Sequence, residues 1–172
     1  MTFILELIKL NACEEAINWL ETNKFTSLQE AWQVCKRADW MLWLLWSNEN
    51  KDEKKLTLTN CEIARTVLHI FETKHPNDKR PRICLDLTEK WYKSEDNVTY
   101  DNAINARKDC WNAYFSYGGD FVSALVAAAE HGAACSASRA AQANGTYNSE
   151  DYYKALASYC DIIRKNHGCP NL

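Results

Sequence analysis

Glycine and proline are scarce in this chain, five and three in 172 residues. Few positions are left for tight turns, which excludes a fold of many short strands and leaves long uninterrupted segments. Long apolar runs are missing as well. The longest, Trp40 to Trp46, reads WMLWLLW; as a helix it would span only about 10 Å, far short of a bilayer. The N-terminal MTFILELIKL has no basic start and no small-residue cleavage site, and Glu6 interrupts its apolar stretch. It does not read as a signal peptide. The expectation is a soluble, cytosolic protein whose sequons at Asn97 and Asn144 carry no sugar. No C-x-x-C pair, P-loop, G-x-G-x-x-G turn or G-x-S-x-G elbow occurs, so the local signatures of zinc ribbons, thioredoxins, nucleotide-binding loops and serine hydrolases are absent. Positive charge is not in excess either. A net charge of −3 argues against general nucleic-acid binding.

What the chain does contain is apolar and aromatic mass. Hydrophobic residues make up 47%, and seven are tryptophan, enough for one domain, residues 1–172, with a substantial core. Apolar positions recur with period 3.6 almost throughout. Ala12 to Thr22 places Ala16, Ile17, Trp19 and Leu20 along one side. Ser27 with Glu30 makes a capping box for SLQEAWQVCK. Asp39 can cap the next helix, in which Trp40, Trp43 and Trp46 follow at i, i+3 and i+6. That helix is apolar all round, which predicts a buried, central element. NENKDEKK, residues 48–55, reads as a solvated loop, with Thr59 or Asn60 opening the helix that Pro76 ends. ICLDLTEKWYK is amphipathic, with Leu85, Thr88 and Trp91 on one side; residues 94–97 break it. Further helices are predicted over Asp101 to Tyr117, stopped by Gly118-Gly119; over an Ala-rich stretch at 124–143 containing Gly132, stopped by Asn144-Gly145; and from Ser149 to near Gly168. No stretch alternates as a strand would. The prediction is all-α, a single bundle of six to nine helices.

The eight cysteines include seven spaced 22 to 26 residues apart. Each fits one helix-plus-loop unit as a reduced thiol facing the core; stacked helical units are the alternative, though no sequence repeat accompanies the spacing. His69, Glu72 and His75 are possible metal ligands at i, i+3 and i+6. Positions i and i+6 lie about 120° apart on a helix, which suits a solvated helix end better than a metal site, and no metal or cofactor is implied. Glu130-His131 reads as a packed or rim pair, not a catalytic base. Trp91, beside Tyr92, is a candidate for a partly exposed ring and Trp111 for a boundary position, whereas Trp40, Trp43 and Trp46 read as core. The aromatics at 114–121 are a possible homodimer surface.

The most informative stretch is HPNDKRPR, residues 75–82. Pro76 ends one helix, Asn77-Asp78 turns the chain, and Pro81 takes the first position of the next helix. Asp78 can accept backbone N–H groups or pair with Arg80 or Arg82. Both arginines can instead offer fixed forks to a carboxylate or phosphate near a helix N-terminus. The two readings are compatible.

AWQVCKRADWMLWLLW, then CEIARTVLHIFETKHPNDKRPRICLDLTEKW, then the Ala-rich helices, resemble the immunity proteins of bacterial polymorphic toxin systems, a family also found in phage genomes. Its DW-x-LWLL helix, Cys-x-x-Ala-Arg helix start, D-x-R-P-R turn and terminal Trp fall on Asp39-Trp40, Cys61 to Arg65, Asp78 to Arg82 and Trp91. The resemblance spans roughly residues 28–145. It differs in the helix after Pro81, where the family has small residues, and in an Ala-rich part broken by SYGGD and NGTYNSE. The resemblance implies a cytosolic, non-catalytic protein that neutralises a toxin or a host defence effector by stoichiometric binding. Asp78, Arg80, Arg82 and nearby aromatics, with Asp39 and Trp40, would anchor the partner. A second expectation is a small-molecule sponge, in which Arg65, Arg80, Arg82 or Arg107 hold the phosphates of a nucleotide messenger and a Trp or Tyr stacks on its base. A third is a hydrolase using Glu72, His69 or His131.

Overall fold

Asp52 opens the longest helix. Its carboxylate accepts the Lys55 N–H at 2.9 Å, an N-cap that starts the helix over Glu53–Lys74. The expected start near Thr59 is therefore six residues late: the lysines and glutamate of the charged run are good helix formers, and only the part before Asp52 is loop. In this computed structural model residues 2–94, 97–117 and 149–172 are described. They form eight helices: α1 Thr2–Lys9, α2 Glu14–Asn23, α3 Leu28–Val34, α4 Ala38–Ser47, α5 Glu53–Lys74, α6 Arg80–Ser94, α7 Asn97–Tyr117 and α8 Ser149–Asn166. Among the described residues there is no strand, and the chain is all-α. No described helix is long and apolar enough to cross a membrane. The predicted stops at Gly118-Gly119 and Asn144-Gly145, the Ala-rich helix with Gly132, Glu130-His131, Cys135 and the dimer surface at 114–121 lie outside the described residues or their described side chains, as does the ring of Trp111.

Local signals explain most boundaries. Ser27 Oγ accepts the Glu30 N–H at 3.2 Å at the start of α3. Glu30 reaches back one residue further than a standard box, to the N–H and hydroxyl of Thr26 at 2.8 and 3.0 Å. Asn11 and Lys24 have positive φ after α1 and α2, and the Lys24 N–H returns to Leu20 and Glu21 carbonyls, the left-handed stop usual at helix ends. Asp39 does not cap α4. The cap residue is Arg37, whose side chain accepts no helix N–H, and Asp39 lies in the first turn, where a carboxylate favours the helix dipole. Helix α7 begins at Asn97, four residues before the expected start.

The central element is α5, not α4. It packs against α4, α6 and α8, while α6 also packs along α7, α8 against α4, and α1 against α2. Ile63, Ala64, Leu68 and Phe71 are fully or almost fully buried on it. Helix α4 does bury Ala38, Met41, Leu42, Leu44 and Leu45, but Trp40, Trp43 and Trp46 are only partly buried, packed against the edge of the core. Arg164 on α8 ties that helix to α3: its Nε donates to the Trp32 carbonyl at 3.1 Å and its Nη2 to the Cys35 carbonyl, satisfying carbonyls that α3 leaves open at its end. Asn60, on α5, is completely buried, and neither its amide nitrogen nor its amide oxygen has a hydrogen-bond partner among the described residues.

The end of α8 is fixed by His167. Its Nε2 lies 2.9 Å from Thr59 Oγ1, and that hydroxyl donates to the Lys55 carbonyl at 2.9 Å. A hydroxyl has one proton, so Nε2 must carry the hydrogen and donate to Thr59. Burial first, then Lys55, lower the His167 pKa below its ordinary value. The unfolded chain therefore takes up a proton that the folded chain resists. Stability is full above the unfolded value of about 6.5 and falls as pH drops through it. Urea midpoints should decline in the wild type as pH falls below about 6.5, and the decline should shrink in His167→Gln; an equal decline in both would refute the assignment.

Candidate functional site

The turn HPNDKRPR is built as a helix-to-helix corner. His75 N–H closes on the Phe71 carbonyl at 2.8 Å, and Asp78 N–H on the His75 carbonyl at 3.1 Å, with Pro76 at the second position of the turn. The first α6 bond is Ile83 N–H to the Lys79 carbonyl, so Pro81 is the second helical residue, one later than expected. Its missing N–H still falls among donors that have no partner in the helix. Asp78 Oδ1 accepts the Arg80 N–H at 3.0 Å, and its carboxylate grips the Arg80 guanidinium at 3.0 and 2.5 Å. Its side chain is only 10% exposed.

The other arginines stitch α5 to α6. Arg82 binds Glu72 bidentately at 2.6 and 2.5 Å. This pulls the Glu72 carboxyl below its ordinary range and pushes Arg82 up. Arg65 bridges Glu89 at 2.7 Å and Asp86 at 2.6 Å. Glu72, Arg82, Asp86, Arg65 and Glu89 thus form alternating charges along one seam. Arg107, on α7, is half-buried near Cys84. Trp91 is half-buried at the far end of α6, its ring 4.3 Å from Tyr92 and 5.0 Å from Tyr100. His69 is exposed, Glu72 is held by Arg82, and the His75 ring lies 4.9 Å from Phe71. Among the described residues no three His, Cys, Asp or Glu side chains converge as metal ligands.

Asp39 and Trp40 belong to a different place. A cavity of about 340 Å³ opens between α1, α2, α3 and α4. Trp19, Trp32, Trp40 and Trp43 line it, with Leu28 and Ala16. Trp19 meets Trp40 at 5.9 Å and Phe25 at 4.9 Å, both tilted. The polar part of the lining is mainly Arg37 with Asp39. Arg37 binds Asp39 through Nε and Nη2 at 2.9 and 2.7 Å and Glu15 through Nη1 at 2.6 Å. Its hydrogen bonds to Asp39 hold the guanidinium firmly charged. Its Cζ stands 4.2 Å over the Trp40 ring and 5.5 Å from Tyr153, a cation sandwiched between aromatic faces.

No family model, curated protein or solved structure matches this chain. The site is therefore read from its own geometry. The structure brings Asp78 and Arg80 together, places Arg82 and Arg65 on the α5–α6 seam, and separates all of them from Asp39 and Trp40. Arg37, Glu15 and Trp19 were missed from the sequence. The signal present was CKRADW, where Arg37 precedes Asp39 by two residues, a spacing at which the carboxylate pairs with the arginine instead of capping. The seven described cysteines are free. Burial pushes Cys61 and Cys160 up to about 12, and the hydrogen bond to Cys84, with burial, raises Cys110 further. Such thiols are packing groups, not nucleophiles.

The two roles of the turn separate by mutation. Asp78→Ala removes the acceptor of the Arg80 N–H and the carboxylate on its guanidinium, and should lower unfolding free energy by about 1–2 kcal/mol. Arg82→Ala, at an exposed pair, should leave the urea midpoint within error of the wild type. The reverse order would mean that the seam, not Asp78, holds the corner.

Proposed function

We propose that this chain is a non-catalytic binding protein that neutralises a toxin domain or a host defence effector by stoichiometric association, as its motifs imply. The observation that supports this reading most is the state of the arginines. Arg65, Arg80 and Arg82 are each bound to carboxylates of their own chain. A nucleotide's phosphates would have to displace those partners, whereas a protein partner needs no such rearrangement. The recess between α1, α2, α3 and α4 is apolar and aromatic. Beside it, α1 and the residue after it expose Leu5, Ile8 and Leu10 at 60%, 48% and 37%. Apolar side chains next to a shaped hollow suit a protein interface, for which about 1,600 Å² in total is an ordinary size.

The test is co-expression with a toxin domain encoded beside it. The expected result is restored growth and a 1:1 complex on gel filtration. Native mass spectrometry of the chain purified from its host should give the bare protein mass. A nucleotide-sized adduct that disappears in the Arg80→Ala/Arg82→Ala double variant would overturn the reading in favour of messenger sequestration.

A further inference from the structure

The cavity between α1, α2, α3 and α4 has aromatic walls and no free charge among the described residues that line it, and we propose that it binds a neutral molecule built on two fused aromatic rings. This goes beyond the neutralisation reading and does not depend on it. Size sets the first limit. A dry apolar cavity of about 150 Å³ takes up benzene, and this one, at about 340 Å³, is roughly twice as large. A single phenyl ring, free or carried on a side chain, would leave about half of it unfilled. The hollow exists because Ala16 and Ala31 line it from α2 and α3, where larger side chains would close it. Wall chemistry sets the second limit. Trp19, Trp32, Trp40 and Trp43 line the cavity from three helices. Trp19 and Trp40 lie 5.9 Å apart and cross at 55°, so they offer a flat guest both a face and an edge, the tilted arrangement aromatic groups prefer. An aliphatic guest of the same size would gain the apolar contact without that geometry.

Charge sets the third limit. The ionised side chains among the described lining residues are Arg37 and Asp39, and they are bound to each other. Arg37 uses Nε and Nη2 on the two Asp39 oxygens and Nη1 on Glu15, while its Cζ stands 4.2 Å over the Trp40 ring. Neither group can turn to an ionised ligand without loosening that pair. Arg164 reaches the carbonyls of Trp32 and Cys35 behind the wall, but it is committed to them and to Asp161. Glu14, Glu15 and Lys36 are exposed and lie outside the lining. An ionised guest would therefore give up water and meet no unpaired opposite charge in exchange, so the cavity favours an uncharged one. Held by apolar contact and not by ion pairs, such a guest should exchange out during purification, and the bare mass expected above is unaffected.

Calorimetric titration of the whole chain with indole, benzene, the anion indole-3-acetate and the cation tryptamine tests this. Indole should bind once per chain, and benzene, with less apolar surface to bury, about tenfold more weakly. Neither charged derivative should bind more tightly than indole, at low salt or at high. Ala16→Phe, which fills the hollow, should abolish indole binding while keeping the helical circular dichroism. No binding of indole, benzene binding as tightly as indole, tighter binding of either charged derivative, or indole binding undiminished by Ala16→Phe would each overturn the proposal. So would a dimer that Ala16→Phe dissociates, because a second copy would then occupy the hollow. Should that variant fail to fold, Cys13 decides: it lines the cavity and is exposed. Saturating indole should slow its alkylation by N-ethylmaleimide severalfold, and an unchanged rate would refute the site.

Discussion

Helix α5 can be buried only if three neighbours cover it at once, and that requirement organises the molecule. Eleven of its 22 residues are buried, too many for one apolar stripe against a single partner. Helices α4, α6 and α8 each supply a face, while α8 also packs on α4 and α6 along α7. A fully buried aliphatic or aromatic side chain contributes roughly 1.5–3 kcal/mol, so Ile63, Leu68 and Phe71 alone account for a large part of the driving force. The contacts at the ends follow from this packing. Arg164 can reach the carbonyls of Trp32 and Cys35 because α8 is already held against α4 and α5, and His167 meets Thr59 for the same reason.

Charge is arranged on the same principle of local closure. The arginines that give HPNDKRPR and its neighbourhood a basic look are matched by carboxylates two to twenty-four residues away, so the α5–α6 seam is close to neutral along its length. Exposed pairs of this kind contribute little stability individually. Their effect is on register: an α6 shifted by one residue would set Arg82 away from Glu72 and Arg65 away from Glu89. The cavity lies apart from this seam, and its polar character comes from one further arginine held in the same way, Arg37 between Glu15 and Asp39.

Much of the fold was legible in the sequence because it depends on local signals. The cap at Ser27 and the corner at Pro76 to Asp78 are each fixed by side chains within a few residues. What was not legible depends on distant partners. The start of α5 was misplaced because a run of charges looks the same in a loop and in an exposed first helical turn; the difference was Asp52. Trp40, Trp43 and Trp46 were read as core because apolar content does not say whether a ring enters a layer or borders it. The sequence alone leaves open whether Arg80 and Arg82 face a ligand or a carboxylate; in the structure Asp78 holds Arg80 and Glu72, a helix turn back across the corner, holds Arg82. The cavity itself could not be foreseen, because it arises from two small side chains, Ala16 and Ala31, that only the tertiary fold brings to one hollow.

Asn60 has a consequence for how the molecule can vary. An amide buried without partners costs about 1–3 kcal/mol, a sizeable share of the roughly 5–15 kcal/mol by which a domain is stable. The helix that every neighbour needs therefore also holds the fold below the stability its own packing could reach. Position 60 is a reserve: an apolar residue of similar shape there would widen the margin against heat and, through it, the range of surface changes the chain could absorb.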